Sequence, residues 1–143
     1  MNSTTAQATI TIHTSVNTVW QALTDPQLVK QYMFGSTLVT DWKIGEPVLY
    51  RGEWEGKSYE DKGILLTFEP MRTIAMTFFS PASGLEDKPE NYQKITYDVV
   101  PEGESVQLTV TQENNKDEAS ASRSQENWQM ILGEIKKLVE ATA

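Results

Sequence analysis

The stretch VWQALTDPQLVKQYM, residues 19–33, places a tryptophan inside an apparent helix and follows it at once with an Asp-Pro break. Ser15 is the expected N-cap of this helix, because its hydroxyl can accept a hydrogen bond from a free backbone N–H. Asp25 and Pro26 end it after about two turns and begin a second helix, where a proline at the first position loses no hydrogen bond. The stretch therefore predicts two short consecutive helices, with apolar sides formed by Val16, Val19, Trp20, Leu23, Leu28, Val29 and Tyr32.

Most of the remaining chain has the period of two that is typical of strands. Residues 8–13, ATITIH, alternate in polarity, and so do five segments between residues 38 and 112. Each segment has one apolar face and one polar face, which favours an antiparallel sheet that is covered on one side. EWEGKSY and VPEGESV predict hairpin turns, and residues 80–91 predict a longer loop rich in Pro and Gly. The predicted inward residues are Ile10, Ile12, Val48, Tyr50, Gly52, Trp54, Ile64, Leu66, Phe68, Ile74, Met76, Phe78, Ile95, Tyr97, Val99, Val106, Leu108 and Val110.

The segment from about residue 116 to the end returns to a helical period. Its apolar stripe is made by Trp128, Ile131, Leu132, Ile135, Leu138 and Val139. Further toward the start of this helix the same stripe holds only Ala121, Ser124 and Gln125, which are small or polar. A long helix is therefore predicted, with an apolar C-terminal half and a lean N-terminal half, meaning one whose inward side chains are small or polar.

The order of these elements predicts an α+β fold in a single domain over residues 1–143. A sheet with one apolar face needs a cover, and the long helix carries a matching stripe. The two short helices are too small to cover the sheet, so we expect them to close one end of the space between sheet and long helix. Trp20 is the predicted plug at that end.

Three segments resemble a known family: VWQALTDPQLVKQYM, GILLTFEPMRTIAMTF and ENWQMILGEIKKLVE. They resemble the START/Bet v 1-like (SRPBCC) superfamily, and within it the family of the C-terminal domain of the activator of Hsp90 ATPase. The resemblance spans roughly residues 8–140 and implies a helix-grip fold, in which a curved antiparallel β-sheet wraps around a long C-terminal α-helix. This chain has Tyr32 where the family pattern often has tryptophan, and Asn127 where it often has glycine. Such motifs specify fold more than function.

The resemblance also bears on partners. The family's eukaryotic activators carry a separate N-terminal module that does much of the Hsp90 binding, and we expect 143 residues to be too few to include it. Stimulation of Hsp90 is therefore not expected, although a chaperone partner stays an alternative.

Composition limits the remaining classes of function. The formal net charge of −8 disfavours nucleic acid and acidic membranes as partners. No run approaches the roughly 18 apolar residues of a membrane helix, so no stable membrane insertion is expected. The start, MNSTTAQ, has no basic or apolar targeting region, and the absence of cysteine excludes disulfides and thiolate chemistry. These features together predict a cytoplasmic protein.

Few residues suggest catalysis. The single histidine, His13, has the parity opposite to Ile10 and Ile12, so we expect it to be exposed rather than catalytic. One histidine without cysteine predicts no metal site, and no cofactor motif is present. Four carboxylates flank one hairpin and could act as an acid–base pair if buried, but a solvated, charged edge hairpin is favoured. They are Glu53, Glu55, Glu60 and Asp61.

Large inward side chains opposite the lean half of the long helix can leave a cavity, or can fill that space themselves. If the cavity is open, the hydroxyls of Tyr50 and Tyr97 are its expected polar anchors. The predicted function is non-enzymatic binding of a small apolar ligand, a lipid or an aromatic metabolite; no oligomeric state is predicted. An interaction module of the Hsp90-activator type and an enzyme of the polyketide-cyclase sort are the alternatives. The predicted cavity-lining residues are Tyr50, Trp54, Ile64, Leu66, Met76, Phe78, Tyr97, Ala121, Ser124 and Trp128.

Overall fold

The computed structural model describes residues 4–33 and 35–141, apart from the side chains of Trp54 and Ala82. Over these residues the strands are β1 (Ala6–Ile12), β2 (Thr37–Val39), β3 (Pro47–Trp54), β4 (Lys57–Glu69), β5 (Thr73–Phe78), β6 (Gln93–Glu102) and β7 (Ser105–Glu113). The helices are α1 (Val16–Thr24), α2 (Pro26–Tyr32) and α3 (Glu118–Ala141). The loop between β5 and β6 contains two short 3-10 turns, Pro81–Ser83 and Pro89–Asn91.

The described strands form one curved antiparallel sheet in the order β1-β7-β6-β5-β4-β3-β2. Glu55 and Gly56 join β3 to β4 with positive φ angles of 51° and 81°, as a two-residue hairpin turn with a right-handed twist requires. Gly103 occupies the corresponding turn between β6 and β7 with a φ of 63°. The predicted α+β fold, with two short helices after the first strand, is confirmed.

The two short helices begin as the sequence predicts. The Ser15 hydroxyl accepts a hydrogen bond from the Thr18 N–H at 3.2 Å, and the Asp25 carboxylate accepts one from the Gln27 N–H at 2.9 Å. The Tyr32 hydroxyl donates to the Ala22 carbonyl at 2.8 Å, which ties α2 to α1. Both helices contact α3, and α1 also contacts β6 and β7. They therefore lie at one end of the space between the sheet and the long helix.

Helix α3 lies across the sheet with its apolar stripe inward, as predicted. Ile131, Leu132 and Ile135 are buried, whereas Met130 on the opposite face is 48% exposed. The helix contacts β1 more extensively than any other element. No helix within residues 4–33 and 35–141 is both long and apolar enough to cross a membrane.

Strand β4 differs from its predicted orientation. Ile64 and Leu66 are 46% and 41% exposed on the outer face, while Leu65 between them is fully buried. The pairing of β4 with β5 shifts register between Leu65 and Thr67, and this irregularity lets Phe68 still pack against the core. The prediction that Ile64 and Leu66 point inward was wrong, because a bulge changes the alternation of side chains along a strand.

Candidate ligand cavity

A cavity of about 1250 Å³ lies between the inner face of the sheet and α3. Its floor consists of buried residues and its rim of exposed ones, so the cavity opens to solvent. The floor residues are Met76, Ile95, Tyr97, Trp128 and Ile131. The exposed rim residues are Lys57, Ser58, Glu60, Pro81, Leu85, Asp87 and Asn127.

The predicted cavity residues divide into four groups. Ile64 and Leu66 lie on the outer face of β4 and do not reach the cavity. Ala121 is buried at 6% exposure but is not part of the cavity wall. The wall residues of α3 begin at Ser124, about one turn further along the helix. The side chain of Trp54 lies outside the described residues, so its place on the wall stays a prediction. The residues that do line the cavity are Tyr50, Met76, Phe78, Tyr97, Ser124 and Trp128.

Helix α3 contributes one face to the cavity. Ser124, Asn127, Trp128 and Ile131 have the spacing i, i+3, i+4 and i+7, which puts them side by side on a helix. Beyond Ile131 the same face meets the packed core rather than the cavity. Of the small or polar residues predicted on this stripe, Ser124 borders the cavity, whereas Gln125 is exposed and does not line it.

Three buried tyrosines from distant parts of the chain lie near one another, and two of them, Tyr50 and Tyr97, line the cavity. Burial raises the pKa of Tyr50 to about 12, and it raises the pKa values of Tyr32 and Tyr97 well above the ordinary range. The neighbouring Tyr50 hydroxyl is a further cause of the raised pKa of Tyr97. The Tyr50 hydroxyl donates to the Met76 sulfur at 3.8 Å, and the Tyr97 ring meets the Trp128 ring edge-on with centroids 5.8 Å apart. At neutral pH all three hydroxyls are uncharged and can donate or accept hydrogen bonds.

A chain of hydrogen-bonded polar side chains begins at Trp128, and two of its members, Gln112 and Ser124, line the cavity. The indole N–H of Trp128 donates to the Gln112 side-chain oxygen at 2.7 Å. The Gln112 amide donates to Gln93 at 2.7 Å, and the Gln93 amide donates to Asn115 at 3.3 Å. Ser124 closes the chain with a 2.7 Å hydrogen bond to the same Asn115 oxygen. The Ser124 hydroxyl is therefore bonded to the side chain of a buried residue, Asn115.

Sequence reasoning missed Gln93, Gln112 and Asn115. For the two glutamines a signal was present, since Gln112 continues the inward row of Val106, Leu108 and Val110, and Gln93 precedes Ile95 and Tyr97 in phase. A polar residue in an inward row implies a buried partner. Asn115 lies in the connection between β7 and α3, outside any alternating row, and gave no such signal.

The loop between β5 and β6 is held against the rim by polar contacts. Lys62 and Asp87 form an ion pair of 2.5 Å, and the Tyr92 hydroxyl donates to Asp87 at 2.7 Å. The ring of Tyr92 also stacks on Phe79 with centroids 5.1 Å apart. The loop predicted at residues 80–91 thus borders the mouth of the cavity through Pro81, Leu85 and Asp87.

The other candidate titratable residues lie apart from the cavity floor. His13 is exposed, as predicted, and its Nδ1 lies 2.9 Å from the Ser105 hydroxyl. In the acidic hairpin, Glu53 and Glu55 are exposed and Glu60 pairs with Arg51 at 2.6 Å. This pattern fits the charged edge hairpin that the sequence favours. Within the described part of the chain no three His, Cys, Asp or Glu side chains are grouped as a metal site.

Asp61 is the exception in that hairpin. It lines the cavity and is only partly exposed. Loss of solvation raises the pKa of its carboxyl group, and a hydrogen bond with the Ser80 side chain partly opposes that shift. Asp61 is therefore an acidic group on a largely apolar wall.

Comparisons with known proteins agree with this architecture. A family model described as activator of Hsp90 ATPase homolog 1-like protein matches residues 13–140. The solution structure of ChR145 from Cytophaga hutchinsonii is 39% identical with a TM-score of 0.85, covering 96% of this chain and 94% of that one. The crystal structure of CV1439 from Chromobacterium violaceum is 19% identical with a TM-score of 0.80, covering 96% and 97% of the two chains, and shows the fold alone. No curated protein matches the sequence.

Proposed function

The chain belongs to the activator of Hsp90 ATPase homolog 1-like family, and from this premise we propose that it binds a small, mainly apolar ligand between its sheet and α3. The ligand class is a lipid or an aromatic metabolite. The observation that carries the proposal is the cavity of about 1250 Å³ with its buried apolar floor. Small-molecule sites are usually concave, mostly apolar and about 300–1,000 Å³ in volume, so a space of this size can hold such a ligand.

The floor of the cavity favours a ligand that contains a ring. Tyr97 and Trp128 present aromatic surfaces in an edge-on arrangement, and Met76 beside them is a soft side chain that adapts to irregular ligands. The uncharged hydroxyls of Tyr50 and Tyr97 supply polar anchors that would orient the ligand. A mostly apolar site with a few placed polar groups is the usual form of a small-molecule pocket.

A binding role is favoured over a catalytic one because the polar side chains around Trp128 already bond one another. Gln112 is engaged by Trp128, and Asn115 is engaged by Ser124. The lone histidine, His13, lies outside the cavity. General acid–base catalysis needs a titrating group within hydrogen-bond reach of the substrate, and these amides and hydroxyls are poor candidates for it. A catalytic role would therefore depend on Asp61, the partly buried carboxyl group on the cavity wall.

The direct experiment is native mass spectrometry of the protein purified from its own host, to detect a co-purified lipid or aromatic compound. A mass increase that disappears on denaturation is the expected result. Extraction and identification of the released compound would then give the ligand. A protein that is always recovered at its bare mass, and that takes up no apolar probe, would contradict the proposal.

The first prediction concerns the mouth of the cavity, where Asn127 is exposed on the wall face of α3. Asn127→Trp should place an indole across the opening and lower the affinity for an environment-sensitive apolar dye by about tenfold, equivalent to ~1.4 kcal/mol. The fold should survive, because the new ring enters open space rather than a packed contact. Dye titration and a thermal melt measure the two effects.

The matched control is Met130→Trp, which adds an indole on the outer face of the same helix, at a position that is 48% exposed. It should leave dye uptake unchanged. Equal dye affinity for the Asn127→Trp variant and the wild type, with a normal melt, would mean that the dye binds elsewhere.

The alternative function is a co-chaperone module of the Hsp90-activator type, and membership of the family favours it. The test is the ATPase rate of purified Hsp90 with and without the protein. Under the ligand-binding proposal the rate does not change. Stimulation that survives in the Asn127→Trp variant would favour the co-chaperone function and separate it from the cavity.

A further inference from the structure

Asp61 is placed to contact a ligand in the cavity. It lies directly opposite Tyr50 in the β3–β4 ladder, so the two side chains share the face that lines the cavity. Because the Tyr50 hydroxyl is an expected anchor of the ligand, Asp61 stands beside the same part of the bound molecule. Asp61 also has a side-chain hydrogen bond with Ser80, another residue that lines the cavity.

The basic groups near Asp61 are engaged with other carboxylates. Lys62, the next residue, pairs with Asp87 at 2.5 Å. On the neighbouring strand Arg51 pairs with Glu60 at 2.6 Å. Among the described side chains, no lysine or arginine forms an ion pair with Asp61.

Lys57 is the remaining basic residue at the cavity rim that lies on the same strand. It is four residues before Asp61, which is about 13 Å along an extended chain. At that separation an exposed lysine is largely screened by water and salt. It therefore does not supply the missing countercharge.

A carboxylate that loses water on an apolar wall, with no opposite charge beside it, costs free energy in the ionised form. We propose that Asp61 is the recognition point for a basic amine on the ligand, whose ammonium group supplies the countercharge. This inference rests on the proposed function and narrows its ligand class to an apolar amine, preferably an aromatic one.

Two further features favour a cation in this cavity. The aromatic rings of Tyr50, Phe78 and Tyr97 lie along the wall, and aromatic faces attract ammonium groups. The net charge of −8 also draws cations toward the protein over longer distances. An ammonium bound at Asp61 would in turn stabilise the ionised carboxylate, which loss of solvation otherwise disfavours.

An adjoining recess of about 710 Å³ carries positively charged side chains, in contrast to the carboxylate at Asp61. It shares part of its wall with the cavity and includes Lys116 and Arg123. Both cations lie close enough to Asp117 to lower the pKa of that carboxyl, behind the larger effect of its hydrogen bonds from Ser120. Their charge is therefore partly offset locally, but an anionic ligand is the competing outcome of the test.

Three naphthalene probes of nearly equal size distinguish these outcomes: 1-naphthylmethylamine, 1-methylnaphthalene and 1-naphthoate. They are cationic, neutral and anionic at neutral pH. Titration followed by tryptophan fluorescence, confirmed by calorimetry, gives the three affinities. We expect the amine to bind about tenfold or more tightly than the neutral probe, the usual scale for a charge-assisted hydrogen bond.

Asp61→Asn keeps the shape of the side chain and removes its charge. It should lower the affinity for the amine by about tenfold and leave that for methylnaphthalene unchanged. The matched control is Glu69→Gln, the same kind of change at the exposed far end of β4, which should alter neither affinity. Thermal melts of both variants show whether the fold is retained.

The outcomes separate the inference from the proposed function. If methylnaphthalene binds but the amine binds no better, or if Asp61→Asn has no effect on the amine, the inference is wrong and the cavity proposal stands. If naphthoate binds most tightly, Lys116 and Arg123 determine specificity and the inference is overturned. If none of the three probes binds, the proposed function fails and the inference fails with it.

Discussion

Trp20 links the two short helices to the sheet through aromatic contacts. Its side chain is 6% exposed, and its ring lies 5.5 Å from that of Phe68 in β4. Phe68 in turn stacks on Trp42, with ring centroids 5.2 Å apart. The residue predicted as a plug is thus one member of a three-ring cluster, and its removal would leave Phe68 with one aromatic neighbour.

Trp20→Ala should therefore destabilise the protein by about 3–5 kcal/mol, the usual cost of emptying a large buried aromatic site. Urea unfolding measures the change. Met130→Ala on the outer face of α3 is the control, and should stay within about 0.5 kcal/mol of the wild type. A loss below about 1 kcal/mol for Trp20→Ala would mean that α1 is not held by this side chain.

At the scale of the element, the sequence predicts the presence and type of each strand better than the direction of its side chains. In β4 the run Ile64, Leu65, Leu66 is apolar at every position, so alternation alone does not decide which residue points inward. Counting back from Phe68 in steps of two predicts that Ile64 and Leu66 point inward. The register shift between Leu65 and Thr67 breaks that alternation, and it depends on pairing with β5 rather than on the sequence of β4 itself. Two predicted cavity residues were lost for this reason.

The hydrogen-bonded polar side chains that begin at Trp128 were harder to predict for a different reason. Gln112, Gln93 and Asn115 acquire their role from hydrogen bonds between residues that are far apart in sequence. Helix periodicity correctly placed Trp128 and Ser124 inward, but it interpreted the small side chain at Ser124 only as empty space. A part of that space is occupied by the Asn115 amide.

At Gly63 the backbone of β4 lies too close to that of β5 to admit a side chain. A Cβ atom at this position would lie 1.7 Å from the Thr77 carbonyl oxygen on β5, which is a backbone atom and cannot rotate away. Gly63→Ala should therefore force the two strands apart and cost about 3 kcal/mol or more. Gly133→Ala is the control, because a Cβ there meets open space on a helix and should stabilise by about 0.5–1 kcal/mol. Equal stability of the two variants in chemical denaturation would show that β5 can move.

At the scale of the whole molecule, the cavity joins parts of the chain that no local pattern connects. Tyr32 comes from α2, Tyr50 from β3 and Tyr97 from β6, and burial is the main cause of the raised pKa of each hydroxyl. Tyr50 also raises the pKa values of Tyr32 and Tyr97, whereas a hydrogen bond with Tyr97 lowers that of Tyr50. Their burial follows from the wrapping of the sheet around α3. These three hydroxyls consequently report on the integrity of the fold as a whole.

The last prediction is a loss of stability in alkali. The neutral hydroxyls are favoured by burial, so above pH 10 the folded protein holds protons that the unfolded chain releases. A raised pKa of this kind contributes stability that is complete below the ordinary pKa of 10.0 and is lost as pH rises toward about 12 for Tyr50. For Tyr50 alone the loss of unfolding free energy is about 2–3 kcal/mol. The pKa values of Tyr32 and Tyr97 are raised in the same direction, so these residues add to the loss.

Urea unfolding at a series of pH values from about 9 to about 12 measures this loss, with tyrosinate absorbance and circular dichroism followed together. The absorbance change of the three buried tyrosines should accompany the change in dichroism in the wild type, because these hydroxyls ionise when the fold opens; the other two tyrosines, Tyr59 and Tyr92, contribute absorbance of their own. Tyr50→Phe removes one of the three buried hydroxyls and should make the decline of stability with pH shallower. If all the tyrosinate absorbance appears while the dichroism stays native, hydroxide reaches the hydroxyls in the folded protein, and the burial that raises their pKa values is weaker than the geometry indicates.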